Sequence, residues 1–143
     1  MNTNTFWKNC ALAHGLSTDE TDLLETLGMR RHYEGGDSII RQFERSTDLY
    51  IVMAGRVRVS SLAEHDLAEG GEGYVFGELA LLDQQPRSAT VTACGPTTVF
   101  VLSGDILRKL MQDSPILGQK LMSNMSRLMG ARLRAANMRI LVS

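Results

Sequence analysis

Two side chains nine positions apart, Glu78 and Arg87, are where this chain has the means to do chemistry. They sit in the string Phe76-Gly77-Glu78-Leu79-Ala80-Leu81-Leu82, a spacer Asp83-Gln84-Gln85-Pro86, and then Arg87-Ser88-Ala89-Thr90-Val91. Gly77 lets the backbone approach a ligand or take up positive φ. Residues 78–82 read as one helical turn, whose first N–H groups have no partner within the helix and face any anion placed there. Arg87 presents a planar fork of donors suited to two phosphate oxygens, and Ser88 adds a hydroxyl. Glu78 cannot hold the phosphate, because like charges repel. Beside a phosphate site, a carboxylate is better explained as the acceptor for a sugar hydroxyl. Taken singly, each residue also has a plain reading: Glu78 as a carboxylate favoured by the helix dipole, Arg87 as its salt-bridge partner. The whole string is more specific than its parts.

A scaffold must hold that string. Leu16-Ser17-Thr18-Asp19-Glu20 is a helix start, with Ser17 or Thr18 as cap and acidic residues in the first turn. Leu23, Leu24 and Leu27 form one apolar face, and Gly28 ends the helix. From Met29 to about Leu102 the period changes to two. Strands are predicted over about 29–33, 38–43, 48–53, 56–60, 65–68, 74–76, 88–93 and 97–102. Turn signals at residues 34–37, Ala54-Gly55, 69–73 and Gly95-Pro96 separate them. Short, evenly spaced strands suggest a small β-barrel or jelly roll. The string around Glu78 interrupts the series between the sixth and seventh strands, where a helical turn crosses the open face of a barrel.

After Leu102 the pattern is helical. Ser103 caps a helix over about 104–112, and Asp113-Ser114-Pro115 stops it and opens the last helix. Leu117, Leu121, Met125, Leu128 and Met129 make an apolar stripe on that helix. The stripe can pack on the barrel, pair with a second copy as a homodimer, or swing over a ligand. Its methionines suit an interface that repacks, and equally suit core filling. Phe6, Trp7 and Leu12 are anchors by which residues 1–15, read as a loose helix, can pack on the domain or a partner. The organisation expected is a leading segment 1–15, a barrel with flanking helices over 16–113, and a lid or dimerisation helix over 114–143.

Bulk properties bound the rest. At 143 residues one domain is expected. A formal net charge of −1 does not suggest a nucleic-acid or membrane-surface binder. Cys10 and Cys94 are too few for a disulfide framework, and His14, His32 and His65 have no metal-ligand spacing. No nucleophile–base pair, Walker loop or zinc spacing is present, so no catalytic or metal residue is assigned and no enzyme is expected. A leader sequence and a membrane-spanning run are both lacking, and a reducing cytoplasm is the simplest home.

The string 76–91 closely resembles the phosphate-binding cassette of the cyclic-nucleotide-binding domain family, which includes catabolite activator proteins, cAMP-dependent kinase regulatory subunits and cyclic-nucleotide-gated channels. Weaker similarity runs from about Leu16 to about Met138. The resemblance implies a mainly β fold, an eight-stranded jelly-roll barrel with one N-terminal and two C-terminal helices. It implies that Arg87 binds the cyclic phosphate and Glu78 the ribose 2′-hydroxyl. The Ser88 hydroxyl and the backbone around Phe76, Gly77, Leu79, Ala80 and Ala89 complete the ligand set. The ligand is then cAMP or cGMP, with no other cofactor, and Ser88 slightly favours cAMP. By similarity of position, Arg132 or Leu133 falls where the family's last helix touches the purine. An arginine there can stack on the ring, hydrogen-bond its edge, or simply belong to a solvated basic helix end. Residues 49–59 resemble the family's third and fourth strands around a turn at Gly55. Phe43, however, stands where the family has a glycine of positive φ, so that turn is expected to be rebuilt. The chain stops at Ser143 without a helix-turn-helix module or second nucleotide site. A free-standing sensor or a domain of a longer protein is therefore expected, with output to an effector outside this sequence. The alternatives are a sensor of another small ligand on the same fold, or a ligand-free scaffold domain in which Glu78 and Arg87 pair with each other.

Overall fold

The computed structural model describes residues 5–63 and 67–142, with side chains at 6–63 and 67–138. Two short 3₁₀ turns, Thr5–Asn9 and Ala11–Ala13, lead into helix α1, Thr18–Leu27. Strands β1 (Met29–Tyr33), β2 (Ser38–Ile40), β3 (Leu49–Ala54), β4 (Val57–Ser60), β5 (Ala68–Gly70) and β6 (Val75–Phe76) precede helix α2, Glu78–Asp83. Strands β7 (Thr90–Ala93) and β8 (Thr97–Leu102) and helices α3 (Gly104–Asp113) and α4 (Pro115–Val142) follow. The strands form two antiparallel four-stranded sheets, ordered β1-β8-β3-β6 and β2-β7-β4-β5. This is the eight-stranded, mainly β architecture that the period-two pattern implied.

Strands β3 and β8 are near-continuous apolar runs because both of their faces are covered. Tyr50, Val52, Val99 and Val101 point between the sheets, against Ile39, Ile40, Val57 and Val91 of the other sheet. Leu49, Ile51, Phe100 and Leu102 point outward, into a second core shared with Leu24, Leu107, Leu117, Leu121 and Met125 of the helices. Leu121 and Met125 have no exposed surface, and each such burial contributes about 1.5–3 kcal/mol. That settles the first half of α4: its stripe packs on this chain's own barrel. Beyond Leu128 the helix is freer, with Leu133 and Met138 exposed. Helix α1 starts as its sequence implies. Ser17 accepts from the Glu20 N–H at 3.1 Å, and the Ser17 N–H donates to Glu20 Oε1 at 2.8 Å. Glu20 also accepts from Lys120 of α4 at 2.8 Å.

Three expectations need correction. The leading segment is not a loose helix. Its 3₁₀ turns bury Phe6, Trp7 and Leu12 in the helical core, and Asn124 of α4 donates to the Leu12 and His14 carbonyls at 2.6 and 2.8 Å. The turn at Phe43 is not rebuilt. Phe43 itself adopts φ +77°, an outlier for a bulky residue. It is held there because its N–H donates to the Arg87 carbonyl at 2.8 Å, while the Arg87 N–H donates to the Glu44 carbonyl at 2.8 Å. Some strand limits also move: β2 stops at Ile40 and β7 begins at Thr90 rather than 88, while β5 runs Ala68–Gly70, residues 65 and 66 of the expected strand lying outside the described residues.

Candidate ligand-binding site

The site is built where β6 turns into α2. Gly77 stands at the helix N-cap with φ +90°, and supplies no capping side chain. A Cβ there would lie 2.7 Å from the Asp48 carbonyl and 2.9 Å from Arg87 Nη1, so glycine is required for both conformation and space. The first N–H groups of α2 consequently have no capping side chain in front of them.

Arg87 is 3 % exposed. Its Nε donates to Ser46 Oγ at 3.0 Å, Nη1 to the Gly77 carbonyl at 3.0 Å and Nη2 to the Asp48 carbonyl at 2.8 Å. Its guanidinium also lies 5.9 Å from the Tyr50 ring centroid. These acceptors are all uncharged, and burial pulls the guanidinium below its ordinary pKa. A guanidinium has five N–H donors and does not deprotonate in proteins. With three engaged, one remains on each terminal nitrogen, attached to a buried cation that has no ion-pair partner among the described residues.

Glu78, 6 % exposed, does not pair with Arg87. Its Oε1 accepts from Arg132 Nη1 of α4 at 2.6 Å. Arg132 Nη2 donates to the Val75 carbonyl, and the guanidinium lies 4.6 Å from the Tyr74 ring centroid. Arg132 is therefore no solvated helix end. Tyr50 stacks on Phe76 at 5.0 Å and Phe76 on Tyr74 at 6.4 Å. An aromatic ladder thus connects the surroundings of Arg87 to those of Arg132. Burial pushes the Tyr74 phenol above its ordinary pKa.

Of these groups Gly77, Glu78, Arg87, Arg132, Tyr74 and Phe76 line one cavity of about 530 Å³. Every residue of the expected ligand set (Phe76, Gly77, Glu78, Leu79, Ala80, Arg87, Ser88, Ala89 and Arg132) is part of its wall. Met129, Leu133 and Ala135 of α4 add an apolar side, and Ile40, Val59 and Val91 an apolar floor. The size lies in the range typical of small-molecule sites. Sequence reasoning missed Ser46, Asp48, Tyr50 and Tyr74. Asp48 acts through its backbone carbonyl, which no side-chain pattern announces. Tyr74, an aromatic residue immediately before the cassette strand, was a readable signal. Of the histidines, His32 pairs with Glu34 and His14 lends its carbonyl to Asn124, while His65 lies outside the described residues. Among the described residues no cluster of His, Cys, Asp or Glu could hold a metal ion, and no helix is long and apolar enough to cross a membrane.

The chain is 33 % identical over 137 residues to the Cyclic AMP receptor protein of Thermus thermophilus, covering 93 % of this chain and 62 % of that one. It spans smaller shares of other curated relatives, such as 21 % of Glutaminase 2 from Bradyrhizobium diazoefficiens. A cyclic nucleotide-binding domain from Methylobacillus flagellatus superposes with TM-score 0.85 at 27 % identity, over 96 % of this chain and 80 % of that one. The regulatory domain of Toxoplasma gondii PKA, crystallised with cAMP, superposes with TM-score 0.70 at 27 % identity, over 78 % of this chain and 44 % of that one. Residues 30–114, the stretch that holds both sheets but for Met29, the cassette and all of α3, match the family described as the cyclic nucleotide-binding domain, and to that family the chain belongs.

Proposed function

We propose that this chain is a non-catalytic regulatory module that binds cAMP or cGMP in the 530 Å³ cavity. The observation that carries the reading is Arg87: a buried cation on neutral acceptors, with two donors left over. A phosphate with oxygens on those donors and on the first N–H groups of α2 supplies the missing anion. The charge balance is selective. Among the described residues two arginines and one glutamate line the cavity, a net of one positive charge from them. That suits a cyclic phosphodiester, with a single negative charge, better than a phosphate monoester, whose charge is about −1.5 to −2. Glu78 takes the ribose hydroxyl, and the purine lies against the apolar side formed by Met129 and Leu133 of α4. Ser88, an exposed wall residue, slightly favours cAMP.

Output runs through α4. Its second half lines the cavity but carries little of the buried core, so a ligand that favours one placement of that half shifts its population in proportion to its differential affinity. The same exposed half offers a surface to a second copy or an effector. The test is calorimetric titration with cAMP, cGMP and 5′-AMP, on protein stripped of co-purified ligand, and on Arg87→Ala. Losing the charge-assisted phosphate bonds should weaken binding by about 2–5 kcal/mol, roughly 30- to several-thousand-fold. Equal binding of 5′-AMP, or cyclic-nucleotide binding that survives Arg87→Ala, would defeat the reading.

A further inference from the structure

Phe43 is held in an unfavourable conformation, and what holds it is Arg87. The turn Arg41–Glu44 closes with the Glu44 N–H on the Arg41 carbonyl at 3.1 Å. Phe43 stands third in it at φ +77°, the position and sign for which a type II turn calls for glycine. The residue is 64 % exposed, so packing does not account for the conformation. Outside the turn, among the described residues, Phe43 and Glu44 make two backbone hydrogen bonds, and both are to Arg87. The Phe43 N–H donates to the Arg87 carbonyl and the Arg87 N–H to the Glu44 carbonyl, each at 2.8 Å.

Two costs therefore meet at one residue. The Arg87 guanidinium is buried without an ion-pair partner among the described residues, and the Arg87 main chain holds Phe43 in left-handed backbone. Moving residues 86–88 away from the turn relieves both: the cation gains water, and Phe43 returns to negative φ. That segment belongs to no helix or strand, lying between the end of α2 at Asp83 and the start of β7 at Thr90. A phosphate on Arg87 removes the first cost and leaves the second.

We propose that Phe43 is a positioning residue that lowers the affinity of the cavity for its anionic ligand. Its strain favours an open arrangement of the Arg87 segment in the unliganded protein, and the ligand must shift that population. Apparent affinity falls by the fraction of unliganded molecules in which Arg87 is seated. Phe43 is not part of the cavity wall and acts through the Arg87 backbone. This rests on the proposed cyclic-nucleotide reading, and adds to it a residue that sets the ligand concentration to which the module responds.

The test compares Phe43→Gly, Phe43→Asn and Phe43→Ala in the full chain, stripped of co-purified ligand. All three remove the ring, and they differ in how freely they adopt left-handed backbone, in the order glycine, asparagine, alanine. Calorimetric titration with cAMP and cGMP should find Phe43→Gly tighter than Phe43→Ala by about two- to fivefold, with Phe43→Asn between. Amide hydrogen exchange of the ligand-free protein reads the opening itself. The Arg87 N–H should exchange well ahead of the N–H of Val52, a fully buried residue bonded to the Tyr74 carbonyl at 2.9 Å. Its exchange should slow by about two- to fivefold from Phe43→Ala to Phe43→Gly. Equal affinities across the three variants, with binding intact, overturn the proposal and leave the function standing. An Arg87 N–H that exchanges only together with Val52 does the same, because the strain is then held by the whole fold and not against an open site. Wild type that binds neither nucleotide refutes the function, and the affinity role of Phe43 with it.

Discussion

Replacing Arg87 with lysine keeps the charge and removes the fork, which separates two roles that Arg87→Ala would merge. Arg87 satisfies Ser46 Oγ, the Gly77 carbonyl and the Asp48 carbonyl from three different nitrogens. A lysine ammonium has its three donors on one atom, so it cannot reach acceptors arranged around a fork and also serve a ligand. With two of the three acceptors left unpaired in a residue environment only 3 % exposed, at about 1–3 kcal/mol each, the stability loss should be about 2–6 kcal/mol. One of the two spare donors is lost as well. At about 1.5–3 kcal/mol for a charge-assisted bond, cAMP affinity should fall about 10- to 150-fold. Urea unfolding reads the first number, and calorimetry at a temperature where the variant is folded reads the second. A variant within about 0.5 kcal/mol of wild type in stability and threefold in affinity would show that charge alone suffices, and would refute the fork as the organising feature of the site.

Three further outcomes follow from particular residues. Gly77→Ala should lose at least about 2 kcal/mol of stability and most cyclic-nucleotide binding, because left-handed backbone is added to a Cβ 2.7 Å from the Asp48 carbonyl; unfolding and titration of the same sample check it. Phe43→Gly should be more stable than Phe43→Ala by about 1 kcal/mol, since both remove the ring and only glycine accepts φ +77° freely; the reverse order in urea would mean the turn is not left-handed in solution. Glu20 is held below its ordinary carboxylate pKa, first by the hydrogen bond from Lys120 and then by the Ser17 N–H. A depressed folded pKa contributes stability that is present above about pH 4.5 and is lost as pH falls through the folded value. Acid titration of stability should therefore be shallower below about pH 4.5 in Glu20→Gln than in wild type, and identical profiles would contradict the pairing.

Much of the fold was legible because its signals are local. The Ser17 cap, the Gly55 turn and the apolar runs of β3 and β8 each state their structure within a few residues. The cassette was legible for the same reason: Gly77, Glu78, Arg87 and Ser88 lie within twelve positions of one another. What stayed hidden depends on distant parts of the chain. The Arg87 bonds reach 39 and 41 residues back, to Asp48 and Ser46. The Glu78 pair reaches 54 residues forward, to Arg132. The 3₁₀ turns at the N-terminus are fixed by Asn124, more than 100 residues away. Phe43 misled a local reading because its strain is offset by two backbone hydrogen bonds with Arg87 and Glu44 rather than relieved by its own residue type.

A crystal structure of the protein with cAMP or cGMP tests the central claim most directly. The account predicts cyclic phosphate oxygens within hydrogen-bonding distance of Arg87 Nη1 and Nη2, the ribose hydroxyl on Glu78, and the purine against Met129 and Leu133. A nucleotide bound outside this cavity, or seated in it with the phosphate away from Arg87, would contradict it.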